Sequence, residues 1–424
     1  MDVSNHASSP VRGELLSEGK TKQIYAIKDD PHHVIVVNKD RITANNAQTA
    51  HDLEGKAECS NSTNAKVYSY LNQAGVPTSF VRKLSATTYL ARRCRMVPLE
   101  WVTRRIATGS FLKRNPGVKE GFRFAPVKLE TFFKDDAAND PEWSKAQVLS
   151  VPAGEAGVLT ERQYSTMASA SVAVFEILER AWAVQRCTLI DMKVEFGFDT
   201  ETGDLLLSDV IDNDSWRLWE NGKKELMKDK QVYRNLKDFT VEEMVKVKLN
   251  YLWVNEKLDG FSDGPENTVV ILMGSPADLA ISEDIKKHCE KLLLSVVRRV
   301  MSAHKVTEET LKTVQYYNSL PTPVVFIAVA GRSNGLGPVL SGNTTLPVIN
   351  CPPVNKKEQT HDIWSSLSVP SGLGCSTVIY PETAALHAAS IFALTDHRVW
   401  SRLRGLQLQR ERALQKSDQE LQEE

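Results

Sequence analysis

The chain has 424 residues, 42% of them hydrophobic and 25% charged, which is ordinary globular composition and enough for two or three cored domains. Lys and Arg number 52 against 53 Asp and Glu, so the formal net charge is −1 and no global field recruits nucleic acid or an anionic membrane. Disorder as the whole story is excluded, and any anionic ligand has to be met by local charge. The six cysteines (Cys59, Cys94, Cys187, Cys289, Cys351, Cys375) are scattered, with no C-x-x-C and no close Cys/His spacing. That pattern points to buried free thiols rather than a zinc site or a disulfide framework. The N-terminus, MDVSNHASSPVRGELL, lacks the apolar core of a signal peptide, and no stretch approaches the roughly 20 apolar residues of a membrane span. A soluble, reducing, cytoplasmic setting is expected.

From Glu14 to about Phe133 short alternating strands, such as 23–27 and 33–37, lie between polar turns, a pattern that suits a largely antiparallel sheet. After Tyr164, apolar residues at Val172, Phe175, Ile177, Leu178 and Trp182 keep near-helical period, and a strand-like run from Thr188 to Phe198 follows. Helix beside sheet predicts an α+β domain over residues 1–260. Gly, Pro, Asp and Ser concentrate around residues 256–267, and the linker is placed at 261–267. Beyond it, apolar runs at Val269–Met273 and Pro323–Val329, and a shorter one at Leu346–Ile349, alternate with helical pattern. They predict a three-layer α/β domain with a parallel sheet, Rossmann- or flavodoxin-like, over 268–424. Its ligands are expected at the carboxyl ends of the strands, near Gly274-Ser275 and the loop from Gly331. Residues 402–424, charged with leucines at intervals, read as a solvated helical tail of that domain.

Gly19-Lys20-Thr21-Lys22 brings two lysines and backbone N–H groups to a strand entrance, where a polyphosphate can be held. In Thr188-Leu189-Ile190-Asp191-Met192-Lys193-Val194-Glu195-Phe196-Gly197, period two puts Asp191, Lys193 and Glu195 on one face. With a turn near Thr202, Glu195 falls opposite or nearly opposite Asp209, a like-charge conflict that a divalent ion resolves. Magnesium is commonly held by one or two carboxylates plus substrate phosphates. Arg104 to Arg114, with Gly109-Ser110 inside it, offers guanidinium forks and close backbone approach. Asp214-Ser215-Trp216-Arg217 and Asp229 to Arg234 add polar groups, and together they suggest a phosphorylated substrate beside ATP. In the second domain, Ser302-Ala303-His304-Lys305 and the glycine-rich loop 331–344 are the informative pieces, because histidine titrates in the range useful for proton transfer.

Val97-Pro98-Leu99-Glu100-Trp101 with Arg104 and Ser110, the Asp191 to Gly197 run, and Asp209 through Trp219 resemble the signatures of the SAICAR synthetase family. The resemblance implies an ATP-grasp-like fold that joins L-aspartate to the carboxylate of CAIR, the carboxylated aminoimidazole ribonucleotide, with ATP cleaved to ADP and phosphate. It implies that Lys20, Lys22 and Lys193 contact ATP, that Glu195 and Asp209 hold magnesium, and that Arg104, Ser110, Asp214, Arg217 and Arg234 bind CAIR. The second domain resembles class II AIR carboxylase, which is fused to the synthetase in animals, and the two resemblances span roughly Gly13 to Leu406. There the implied reaction adds CO2 to aminoimidazole ribonucleotide (AIR) without biotin or ATP. His304 and Lys305 are its implied catalytic residues, and Ser275, Asp278, Ser302, Gly331, Ser333 and Gly335 contact substrate. An octamer is implied as well. The chain departs from that family in its phosphate-binding turn, usually Gly-Ser-x-Ser-Asp with a histidine three residues on, which here reads Gly274-Ser275-Pro276-Ala277-Asp278 and then Ile281. Val306-Thr307 likewise stands where Gly-Pro is common. The alternative to two activities is an active synthetase whose carboxylase-like domain serves as an oligomerisation scaffold.

Overall fold

A computed structural model describes residues 10–44, 48–354 and 361–423. They fall into two compact units, Met1–Ser262 together with Arg404–Glu424, and Asp263–Leu403.

The first unit mixes helices with two large antiparallel sheets, beside a two-stranded one of Arg41–Ala44 and Thr49–Asp52. One sheet has the order Arg12–Glu18, Lys22–Ile27, Asp30–Asn38, Thr88–Arg92, Phe80–Lys83. The other is organised by the strand Cys187–Asp199, on which Leu99–Ile106, Leu205–Ser208, Trp216–Glu220 and Cys94–Met96 all pair. Its centrality follows from its sequence: Leu189, Ile190, Met192, Val194 and Phe196 are buried on both faces of the run. The helix Glu161–Val184 packs against it and begins in a capping box of Thr160 and Gln163. That helix buries Val174, Phe175, Ile177, Leu178 and Trp182, with Val172 at the edge of the buried face.

A second helix, Lys56–Ala74, has no apolar stripe and still buries its polar residues. Asn61 Nδ2 donates to the carbonyls of Ser85 (3.0 Å) and Ala86 (2.9 Å), and Asn64 Oδ1 accepts from the N–H of Ile211 (2.9 Å). Hydrogen bonds to backbone take the place of an apolar stripe there, although Asn64 Nδ2 is buried without a partner among the described residues, so hydrophobic periodicity carries no signal of the helix's burial.

The second unit holds a five-stranded parallel sheet in the order Ser295–Val300, Thr268–Met273, Val324–Val329, Val348–Asn350, Ser376–Thr377. In chain order this is 2-1-3-4-5, and the order reverses between the strands ending at Met273 and Val329. The strand Ser295–Val300 is not visible as an apolar run because it is an exposed edge interrupted by Arg298 and Arg299. A short turn of helix, Leu258–Phe261, runs up to the start of the expected linker, and at the linker's end Asn267 is buried and donates to Asp396 Oδ2 (2.6 Å).

The tail expected to belong to the second domain behaves differently. The helix His397–Glu423 joins the first unit from Arg404 onward. Arg404 Nε reaches Glu176 (2.8 Å), Gln409 Nε2 donates to the carbonyl of Gly75 (2.6 Å) and Arg412 to that of Leu205 (2.8 Å). The Gly75 contact supplies a donor at the C-terminus of Lys56–Ala74, where helix carbonyls lack internal partners. Leu408 is fully buried, while Leu414 and Leu421 remain solvated, so the solvated reading holds only for the distal turns. Gly405 lies so close that an added Cβ would run into the Ala74 carbonyl. Gly405→Ala is therefore expected to cost about 1–3 kcal/mol, the usual penalty of overpacking. The check is the urea midpoint of the first unit's unfolding transition, which falls in the variant; an unchanged midpoint contradicts this packing.

Candidate active site

The first unit surrounds a cavity of about 810 Å³, and Lys20, Lys22, Lys193, Arg104, Ser110, Asp214, Arg217, Arg234, Glu195 and Asp209 all line it. Strands deliver most of them. Lys193 and Glu195 project from the central strand, Glu195 stands opposite Ser208 in the ladder, and Asp209 follows one residue later with φ 69°. The like-charge conflict expected between Glu195 and Asp209 is met here by lysines. Lys193 Nζ lies 2.5 Å from Glu195 Oε1, 3.3 Å from Glu100 and 3.6 Å from Asp209 Oδ2. Lys134 Nζ reaches the other Glu195 oxygen at 2.9 Å, and Lys22 pairs with Asp209.

Burial opposes the charges of Glu195, Lys193 and Lys22, and their neighbours offset it to different degrees. Burial alone would raise the Glu195 carboxyl, but Lys193, Lys134 and Lys22 bring it down to about 2. Lys193 is likewise penalised by burial, and Glu195 with Glu100 holds its ammonium more firmly charged than usual. For Lys22 burial prevails, and its pKa falls to about 8 although Glu195 opposes the shift. Lys20 sits farther out, paired with Asp136 at 2.8 Å.

A second cluster is built on arginine. Arg104, buried on Leu99–Ile106, is held by Glu130 and by Asp191 Oδ2 (2.6 Å), and Arg217 reaches the same Asp191 oxygen (2.5 Å). Asp191 therefore orients two guanidinium groups, which explains its place on the face shared with Lys193 and Glu195. Asp214 accepts from Lys230 Nζ (2.8 Å) and from the Tyr251 hydroxyl (2.5 Å). Despite burial, Lys56 and Lys230 hold its carboxyl well below the usual range. Ser110 opens the short helix Ser110–Arg114.

The second unit gathers its candidates at the carboxyl ends of three neighbouring parallel strands. Ser275 follows Thr268–Met273 and caps the turn, its Oγ accepting from the N–H of Ala277 (3.2 Å). Pro276 offers no N–H there, and Ile281 is buried as core, so apolar packing occupies the position where the family usually carries histidine. Asp278 is buried, and burial raises its carboxyl. Ser302 to Lys305 form a tight turn, with the N–H groups of Lys305 and Val306 donating to the Ser302 carbonyl (3.1 and 2.9 Å). That turn closes without Gly-Pro. His304 stands exposed against Gly335, where an added Cβ would strike the imidazole. The loop itself is shaped by buried Asn334, whose amide donates to Asn350 (3.1 Å) and Ser366 (2.9 Å) and accepts from the N–H of Gly337 (3.0 Å). Gly331 starts the loop and Ser333 is exposed on it.

Comparison with known proteins finds two families along the chain. The SAICAR synthetase family model matches residues 15–250, and the AIR carboxylase model matches 268–413. The Drosophila melanogaster bifunctional phosphoribosylaminoimidazole carboxylase/phosphoribosylaminoimidazole succinocarboxamide synthetase is 53% identical over 96% of this chain and 95% of its own length. The protein of the same description from Homo sapiens is 50% identical over 97% of each. A SAICAR synthetase solved in complex with ADP matches with a TM-score of 0.51 at 27% identity, covering 60% of this chain and all of its own. The chain belongs to this bifunctional carboxylase/synthetase family. The carboxylase match runs past Leu403 into the helical segment that packs with the first unit, so the sequence family and the compact unit end at different residues.

Sequence reasoning about this bifunctional-family chain missed Lys134 and Lys56 at the cavity wall and named Arg114 there only as the end of the run from Arg104. Lys134 follows a strand end in an acidic stretch that reads as a solvated loop, Lys56 starts a helix with no apolar stripe, and Arg114 lies in a basic run read only collectively. Among the described residues no group of three or more His, Cys, Asp or Glu side chains is arranged for a metal, and no helix is long and apolar enough to cross a membrane. All six cysteines are free, and burial pushes Cys187, Cys289 and Cys351 up to about 12.

Asp229 supports the cavity from behind, accepting from the N–H groups of Leu218 (2.9 Å) and Gln231 (2.8 Å). Burial pushes its carboxyl from 3.8 up to about 6, with Asp191 adding to the rise and Arg217 opposing it. The folded state thus binds this proton more tightly than the unfolded chain. Its contribution is fully present below about pH 4 and lost as pH rises through about 6. The stability of the native chain relative to Asp229→Asn, measured by urea unfolding, is therefore expected to decline across that window; a flat difference contradicts the assignment.

Proposed function

We propose that the chain catalyses two consecutive steps of purine synthesis. It carboxylates AIR with CO2 to CAIR, and it ligates CAIR to L-aspartate with ATP to give SAICAR, ADP and phosphate. The observation that carries the reading is the first unit's cavity, where two carboxylates ringed by lysines lie beside a buried arginine cluster. On this reading the first unit is ATP-grasp-like. The 2-1-3-4-5 order supports a flavodoxin-like, three-layer description of the second. A cytoplasmic homo-octamer, with neither nucleic acid nor membrane as partner, completes the proposal.

In the ligase site, Lys20, Lys22 and Lys193 receive the ATP phosphates, while Arg104, Ser110, Asp214, Arg217 and Arg234 hold CAIR. The donor set fits magnesium: Glu195 and Asp209 present hard oxygens, both within 3.6 Å of one point, the Lys193 ammonium. Bound there, the ion would neutralise charge developing on the phosphoryl group. A CAIR carboxylate oxygen attacks the γ-phosphorus and ADP leaves, giving an acyl phosphate. The aspartate amine then attacks the acyl carbon, phosphate departs and the amine loses a proton. Lys22 and Lys193 offset negative charge in the first step, in a buried site where such interactions are strong.

In the second unit C4 of AIR attacks CO2, and His304 takes the C4 proton as the ring regains aromaticity. Lys305 assists His304 and, with Ser302, steadies the nucleotide; Ser275 and Asp278 meet it at the turn, while Gly331, Ser333 and Gly335 bound the CO2 pocket. No biotin is called for. Each hydrogen bond to a charged group that Pro276, Ala277 and Ile281 remove is worth about 1.5–3 kcal/mol, so weak binding of the AIR phosphate is expected.

Two substitutions test the separation. Glu195→Gln should abolish aspartate-dependent ADP release from supplied CAIR and leave CO2 addition to AIR unchanged. His304→Ala should lower CAIR formation by roughly 10²–10⁴-fold, the usual scale of a general acid or base, and spare ligation. Equal loss of both activities in either variant, or an unchanged carboxylation rate in His304→Ala, would overturn the assignment, and CAIR formation at background in the native chain would leave only the scaffold reading.

A further inference from the structure

Asp214 is a substrate-facing carboxylate in the ligase reading, and the lysine behind it has no role in that reading. Lys56 opens the helix Lys56–Ala74, and its side chain is 1% exposed. Its Nζ lies 3.6 Å from Asp214 Oδ2, donates to Ser60 Oγ at 3.4 Å and sits 5.7 Å over the Tyr251 ring. The remaining partners of Asp214 are the Lys230 ammonium, the Tyr251 hydroxyl and, through the Asp214 N–H, the carboxylate of Asp212 (2.8 Å). Burial works against the Lys56 charge, but Asp214 and Asp212 outweigh it and keep the ammonium protonated.

A fully buried lysine is a poor device for stability, since an apolar residue of similar volume is commonly as good or better. What the ammonium supplies is direction. Lys230 and Tyr251 reach Asp214 from residues beyond the central sheet, whereas Lys56 reaches it from the helix that also carries Asn61 and Asn64, both locked by hydrogen bonds. We infer that Lys56 is a positioning residue of the ligase site, whose buried ammonium fixes the orientation in which the Asp214 carboxylate meets the nucleotide substrate. At 1% exposure it acts through Asp214 rather than by touching substrate. The inference rests on the ligase reading of Asp214.

The test is steady-state ligation by the full chain with CAIR varied at saturating ATP and aspartate, for Lys56→Met, Asp214→Asn and the double variant. Lys56→Met should raise the KM for CAIR roughly tenfold, the effect of losing one interaction with a charged group, and leave the KM for ATP unchanged. In the Asp214→Asn background the same substitution should change the KM for CAIR by less than about twofold, because coupled residues do not add. A full effect in both backgrounds, an unchanged KM for CAIR, or an equal rise in the KM for ATP would overturn the inference. If Lys56→Met shows no cooperative unfolding transition, Lys56→Gln, which keeps a polar end without charge, is measured against the same outcomes. A native chain that makes no SAICAR, or an Asp214→Asn variant with a native KM for CAIR, refutes the underlying reading of the site and the inference with it.

Discussion

The first unit depends on a problem of charge: Glu195 is 2% exposed on the central strand of the sheet, with Asp209 one residue beyond the facing ladder. Two such carboxylates in low dielectric are costly unless cations are placed within contact distance. Lys22, Lys134 and Lys193 provide them, from a neighbouring sheet, a strand end and the central strand itself. Three separate segments are thereby drawn to one point, and the resulting cavity is lined by exchangeable ion pairs. On the proposed reading, phosphates would take over the lysines and a divalent cation the carboxylates without exposing an uncompensated charge.

The arginine cluster is built in the same way. Asp191 and Glu130 hold Arg104 while Asp191 also steadies Arg217, so two guanidinium groups are set before a ligand arrives. Preorganised donors of this kind cost little reorganisation on binding. In the second unit the comparable device is neutral. Asn334 and Asn350 tie the loop that follows Val324–Val329, and the glycine at 335 leaves room for His304.

Much of this was legible in the sequence where period and chemistry coincide. The alternation at Asp191, Lys193 and Glu195 put three functional groups on one face, and the apolar runs ending at Met273 and Val329 marked the ends where the second site gathers. What escaped did so for physical reasons. The helix Lys56–Ala74 buries polar side chains that bond to backbone rather than an apolar stripe, the strand Ser295–Val300 is an edge broken by arginines, and the helix from Arg404 is held by side-chain bonds to backbone carbonyls that no pattern announces. Lys134 and Lys56 belong to the cavity only because distant segments converge there.

The central claim is that one chain performs both steps although its phosphate turn carries Pro276, Ala277 and Ile281. The most direct measurement supplies the purified chain with AIR and bicarbonate, and then with ATP and aspartate, while CAIR and SAICAR are followed separately. The account predicts CAIR above the uncatalysed background, followed by its conversion to SAICAR. Background-level CAIR, with normal ligation when CAIR is supplied, would contradict it and leave the second unit as a scaffold.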